Sequence, residues 1–232
     1  MKIIFHGHAF VEIENEGLSI LIDPFLTGNP KCKISFEEIC SKNIKAIVLT
    51  HGHSDHLGNT VEISQKTNCI IIATSELGKY LQEVKGLRNV WNMNIGGEKN
   101  FGDFAVKLTN AAHGGGIGNS HEGYTTNPAG VVIKINGKNI YHAGDTALIY
   151  DMKLLGYYYD IDVALLPIGG NFTMGVQDAI IAADFIKPKI VVPIHYNTWD
   201  VIRVNSDEFK KLVEEKGKIK VEILESEEFL EI

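Results

Sequence analysis

The chain has 232 residues, 44% of them hydrophobic and 22% charged, with a formal net charge of −7. That balance describes a folded globular chain and excludes a disordered or low-complexity one. The acidic charge disfavours a broad nucleic-acid or anionic-membrane surface, and no apolar run approaches the length a spanning helix needs. Cys32, Cys40 and Cys69 have no C-x-x-C spacing. A sparse, odd set of thiols suits a reducing compartment, so a cytoplasmic protein is expected, with residues 1–232 as one domain.

In chain order, Lys2–Phe5, Phe10–Glu14 and Leu18–Asp23 read as strands, with Asn15-Glu16-Gly17 as a turn. Lys45–Thr50 and Cys69–Ala73 are nearly continuous apolar runs, as in strands covered on both faces. Leu57–Lys66 and Ser75–Lys85 read as helices, the second with Ser75 as N-cap. Phe104–Ala111, Ala129–Ile135 and Lys138–His142 read as strands, and Asn136-Gly137 as a hairpin turn between the last two. Asp162–Leu166, Lys189–Ile194 and Lys218–Leu224 are further strands. Gln177–Ile186 and Ser206–Glu215 are helices, the first stopped by Pro188. Strands mixed with helices predict a layered α/β fold, built as two fused half-domains sharing a core, with a break near Gly114–Asn127. Gly114–Gly123 is the least regular stretch, either a surface connection or a loop over a site.

The chemistry concentrates in His51-Gly52-His53-Ser54-Asp55-His56, which follows one predicted strand and precedes a helix. A strand-to-helix turn can aim His51 and His53 at one cation, and Asp55 and His56 at a second nearby. Imidazole and carboxylate suit Zn²⁺, Mn²⁺ or Fe²⁺. Four residues do not close two metal sites. His113, Asp145 and His195 each stand where a predicted strand enters a loop, the place where α/β sites gather.

These residues together resemble the metallo-β-lactamase-fold hydrolases. F-H-G-H-A at Phe5–Ala9, L-I-D-P-F-L-T-G-N-P at Leu21–Pro30, G-G-N-F-T-M-G at Gly169–Gly175 and P-K-I-V-V-P-I-H-Y at Pro188–Tyr196 are more selective. They resemble a compact group of metal-dependent hydrolases related to ascorbate-6-phosphate lactonase. The resemblance spans essentially the whole chain. It implies an αββα four-layer sandwich with a binuclear site at one rim of the sheets. It further implies that His51, His53 and His113 bind one metal, that Asp55, His56 and His195 bind the other, and that Asp145 bridges them. Histidine-rich ligation favours zinc, and relatives also use manganese or iron.

Around that set, His8 is expected to face the site and to orient substrate or donate a proton. Asp23 is expected to accept hydrogen bonds from a ligand imidazole or from the backbone of the metal loop. Tyr196, Asn197 and Trp199 are candidates for the pocket mouth. His6 reads as a core or edge imidazole, His121 as a solvated loop histidine, and His142 stays open.

The expected reaction is metal-assisted hydrolysis of an ester-like bond, a lactone, thioester or phosphodiester, in a small-molecule substrate. A hydroxide bridging the two metals is expected to attack, and Asp55 or a metal-bound water to handle the proton. The chain has no G-x-S-x-G elbow and no P-loop. Two alternatives compete: a non-heme iron redox protein on the same fold, and a non-catalytic metal-binding module. Di-iron flavoproteins of this fold carry a glutamate where His53 stands, which lowers the first; a closed coordination shell would mark the second. No nucleic-acid or membrane partner is expected, and homo-oligomer formation is left open.

Overall fold

The computed structural model describes residues 1–118 and 124–232, so the expectation for His121 lies outside the described residues. It is mixed α/β and divides into two units. The first comprises Met1–Asn94, Gly114–Pro128 and Glu225–Ile232; the second comprises Ile95–His113 and Ala129–Leu224.

Among the described residues, the first unit holds a seven-stranded sheet in the order β14-β1-β2-β3-β4-β5-β6. Its strands are β1 Lys2–Gly7, β2 Phe10–Asn15, β3 Leu18–Ile22, β4 Ile44–Val48, β5 Ile70–Thr74, β6 Val90–Met93 and β14 Phe229–Glu231. The first three form a meander, because Asn15-Glu16-Gly17 turns with Glu16 and Gly17 at positive φ. From β3 onward the pairing is parallel. All five residues of β3 are buried, Ser19 included, as in a strand covered on both faces. Helices α1 Phe36–Ser41, α3 Thr60–Thr67 and α4 Ser75–Glu83 supply Ile39, Ile63, Leu77, Tyr80 and Leu81. These pack on Phe10, Leu21, Ile47, Leu49 and Ile71 from the sheet.

A polar network lies inside this unit. His6, fully buried, sits between Glu12 Oε2 at 3.1 Å and Glu227 Oε1 at 3.0 Å. Glu12 also accepts from Ser19 Oγ at 2.6 Å and Lys42 Nζ at 2.6 Å. Burial opposes charge on both groups. The bonds from His6, Lys42 and Ser19 nevertheless hold the Glu12 carboxyl down to about 2. Bonds from Glu12 and Glu227 likewise raise His6 above the ordinary histidine value. His6 is thus a buried structural imidazole.

The second unit holds the other sheet, in the order β13-β12-β11-β10-β9-β8-β7. Its strands are β7 Glu98–Asn100, β8 Phe104–Asn110, β9 Ala129–Ile135, β10 Lys138–His142, β11 Val163–Pro167, β12 Ile190–Ile194 and β13 Lys220–Val221. The hairpin between β9 and β10 turns at Asn136 and Gly137, both at positive φ, as expected. Helices α5 Met152–Tyr158, α6 Val176–Ile186 and α7 Ser206–Glu215 pack Met152, Leu155, Ile180, Ala183, Phe209 and Val213 on Tyr141, Ala164, Leu166 and Val191.

Five expectations are corrected. The helix over Leu57–Lys66 is two pieces, α2 Ser54–Leu57 and α3. Gly58 breaks it at φ 47, with a Cβ there only 2.3 Å from the Pro24 carbonyl. Ser75 is the first residue of α4 and not its cap. Thr74 holds the cap position, and the Ser75 hydroxyl donates to the Met93 carbonyl at 3.3 Å. The strand at Lys218–Leu224 shrinks to β13, an edge with β12 as its partner. Helix α5 was unforeseen, because Gly156 and three tyrosines mask its pattern; that glycine lets α5 approach α6, where a Cβ would stand 2.3 Å from the Phe185 carbonyl. Finally, Gly114–Pro128 is no break between halves. It is an excursion that returns to the first unit: the Gly118 amide donates to the Gly52 carbonyl at 2.9 Å, and Gly116 bridges Thr125.

Candidate metal centre

In the first unit, β1, β3 and β4 run in one direction, since β2 is antiparallel to both of its neighbours. Their C-terminal ends therefore share one sheet edge. His8 follows β1, Asp23 follows β3, and the histidine-rich loop follows β4. Three devices bring their side chains in. A register shift between Phe5 and Gly7 turns the chain, and His8 takes φ 60. Asp23 takes φ 50 just before Pro24. At Gly52 a Cβ would stand 2.9 Å from Ile117, so the loop passes close under residues 116–118.

Asp23 organises this edge. The carboxylate is fully buried and accepts three bonds: the Thr50 amide at 2.9 Å, the Thr50 hydroxyl at 2.6 Å and His56 Nδ1 at 2.7 Å. Because the Thr50 hydroxyl donates to Asp23, its lone pairs face His51 Nδ1 at 3.0 Å. Both imidazoles are thereby set as Nδ1–H tautomers, with Nε2 presenting its lone pair, as metal-binding histidines require. His51 Nε2 points at His53 Nδ1 across 2.9 Å. His8, Asp55 and His56 each offer a donor atom within 4.8 Å of one another, as do His51 and His56. His8 Nε2 lies 3.1 Å from Asp55 Oδ2. Sequence reasoning singled out Asp23 but missed Thr50. The signal was a polar residue closing an apolar run directly before the first histidine.

In the second unit, β8, β10 and β12 also run in one direction, because β9 is antiparallel to β8 and β10 while β11 is parallel to β10 and β12. His113, Asp145 and His195 stand just beyond their C-terminal ends. They converge: Asp145 Oδ2 is 3.1 Å from His195 Nε2 and 3.5 Å from His113 Nε2. Asp145 and His195 are buried, and His195 takes φ 52. At Gly169 a Cβ would stand 2.3 Å from the His195 carbonyl, which explains the glycine in that loop.

The remaining candidates follow His195 along the chain. Tyr196 packs, partly buried, against the apolar core of the second unit. Asn197, at φ 54, accepts the Val204 amide on its side-chain oxygen at 2.8 Å and so shapes its own turn. Trp199 is 37% exposed and precedes a short 3-10 turn at Asp200–Ile202. All three cysteines are free. Burial pushes the Cys32 thiol up to about 11 and raises Cys40 and Cys69, so they stay protonated near neutrality and are poor nucleophiles.

Each edge therefore collects imidazoles and carboxylate whose donor atoms lie within a few ångströms of each other. That donor set fits a first-row divalent metal. No helix among the described residues is long and apolar enough to cross a membrane.

Comparison with known proteins agrees with this donor chemistry. The beta-lactamase superfamily domain matches residues 19–196. A UPF0173 metal-dependent hydrolase of Anoxybacillus flavithermus is 48% identical over 221 residues, covering 94% of this chain and 96% of that protein. One from Carboxydothermus hydrogenoformans is 49% identical over 212 residues, covering 90% and 91%. The structure of Igni18, a metallo hydrolase from the archaeon Ignicoccus hospitalis, superposes with a TM-score of 0.89 at 34% identity, covering 99% and 97% of the two chains. On these grounds the chain belongs to the UPF0173 metal-dependent hydrolases of the beta-lactamase superfamily.

Proposed function

We propose that the protein holds a binuclear metal centre, as its resemblance to the metallo-β-lactamase-fold hydrolases implies, and uses it to hydrolyse an ester-like bond in a small molecule. In this reading His51, His53 and His113 hold one ion, Asp55, His56 and His195 hold the second, and Asp145 bridges them. The observation that carries it is the Asp23–Thr50 pair, which turns two buried imidazoles into oriented donors. Such an outer carboxylate is how metal-binding histidines are fixed. The imidazole-rich set favours zinc, with manganese or iron as the alternatives.

Bound divalent ions supply an acidified water and polarise the oxygen of the scissile carbonyl or phosphoryl group. The side chains do the rest. Asp55, only partly buried, takes the proton released at attack. His8 donates Nε2–H to Asp55 Oδ2 and keeps that carboxylate in place, and the proton Asp55 takes then goes to the leaving group. The free, protonated cysteines support a water nucleophile over a thiolate. They are also consistent with a reducing, cytoplasmic setting.

Lactones, thioesters and phosphodiesters presented with Zn²⁺ and Mn²⁺ in parallel test the reading. His53→Ala abolishes turnover of any substrate found. His8→Ala lowers turnover while metal content stays; loss of metal in that variant would make His8 a ligand and overturn its assignment.

A further inference from the structure

We infer that His142 is a positioning residue for Asp145, acting through the peptide of Gly144. This rests on Asp145 being a metal ligand, as proposed above. β10 ends at His142, and its pairing with β11 runs one residue further, through the Ala143 amide to the Leu165 carbonyl at 3.0 Å. Gly144 then turns with φ 63, a left-handed conformation that glycine adopts freely. In that turn its amide leaves the sheet ladder. It donates instead to His142 Nδ1 at 3.0 Å, and His142 is fully buried. The bond requires the lone pair on Nδ1 and the proton on Nε2.

The residue after Asp145 is held as firmly. The Thr146 hydroxyl accepts the Ala112 amide at 3.0 Å, and the Thr146 carbonyl accepts the Met174 amide at 2.9 Å. Asp145 is therefore suspended between two anchored peptides. Its carboxylate reaches His195 at 3.1 Å and His113 at 3.5 Å only while both anchors hold. An imidazole of the same unit supplies one of those anchors, through the Gly144 amide. His142 thus plays, for the scattered half of the donor set, a role like that of Thr50 for the clustered half.

Two nearly isosteric substitutions test it. Asparagine places Oδ1 where His142 Nδ1 stands and still accepts the Gly144 amide; leucine fills similar space and accepts nothing. His142→Leu is expected to weaken metal affinity about 10- to 100-fold in a chelator competition, the usual cost of losing an outer partner. His142→Asn is expected to restore it to within about threefold of wild type by the same logic. Cobalt-loaded His142→Leu should shift its visible absorption bands, and His142→Asn should not. Wild-type affinity in His142→Leu overturns the inference, and so does an equal loss in both variants, which would make ring bulk the cause. If the leucine variant does not fold, the asparagine variant decides alone: near wild-type affinity supports the role, and a tenfold loss overturns it. A wild-type protein that binds no metal overturns the reading of Asp145 itself, and this inference with it.

Discussion

The two sheet edges present similar donors by different means. In the first unit four candidate ligands sit within six consecutive residues, His51 to His56, and one buried carboxylate with one threonine orients two of them. In the second unit three candidates come from three strand ends, and the chain between the first and last exceeds eighty residues. Nothing local brings His113, Asp145 and His195 together. Strand direction does, because β8, β10 and β12 all deliver their C-terminal ends to one edge.

The sharpest way to break that comparison is Asp145→Ala. Both imidazoles of the second unit lean on its Oδ2, so turnover should fall to the uncatalysed level in the substrate screen. Appreciable residual turnover would show that the scattered set is dispensable. Next comes Asp23→Ala, which removes the acceptor behind His56 and Thr50. Metal affinity should fall about 10- to 100-fold in a chelator competition while the ligands themselves remain. An unchanged affinity would mean that the histidine loop orients itself.

A third test sharpens the contrast between polar networks within one unit. Glu12→Gln breaks a buried ion network that touches none of the candidate ligands. Removing one partner of a buried pair costs about 3–5 kcal/mol, so urea unfolding should show that loss while metal bound per folded chain is unchanged. Loss of metal in this variant would join the two networks.

The smallest effect is the pH dependence of stability. The Glu12 carboxyl is depressed, so its contribution is full above its ordinary value of 4.5 and is lost as pH falls toward about 2. His6 is raised above 6.5, so its contribution is full below that value and is lost as pH rises through the higher folded-state value. The difference in unfolding free energy between wild type and Glu12→Gln should therefore shrink at acid pH. A difference that stays flat down to the acid limit would place the cause in packing.

Most of the strands were legible because their signals are local. Asn136-Gly137 can hardly avoid a hairpin turn, and Ala129–Ile135 and Lys138–His142 flank it as expected. The H-x-H-x-D-H cluster was legible for the same reason. Elements decided by tertiary contact were not. Gly58 ends α2 because Pro24 stands in the way, and Gly156 sits inside α5 because α6 comes so close. β14 has few residues and pairs with β1 from the far end of the sequence. Within the site, Asp23 could be suspected from its Pro neighbour at a strand end. Thr50 closes its apolar run visibly, but its role, like that of the His142–Gly144 bond, depends on where one hydroxyl or one amide points.

The central claim is a pair of metals held by seven side chains. Elemental analysis of the gel-filtered protein after metal-supplemented purification tests it most directly. The account predicts two equivalents of divalent metal per chain; one equivalent or none would contradict it.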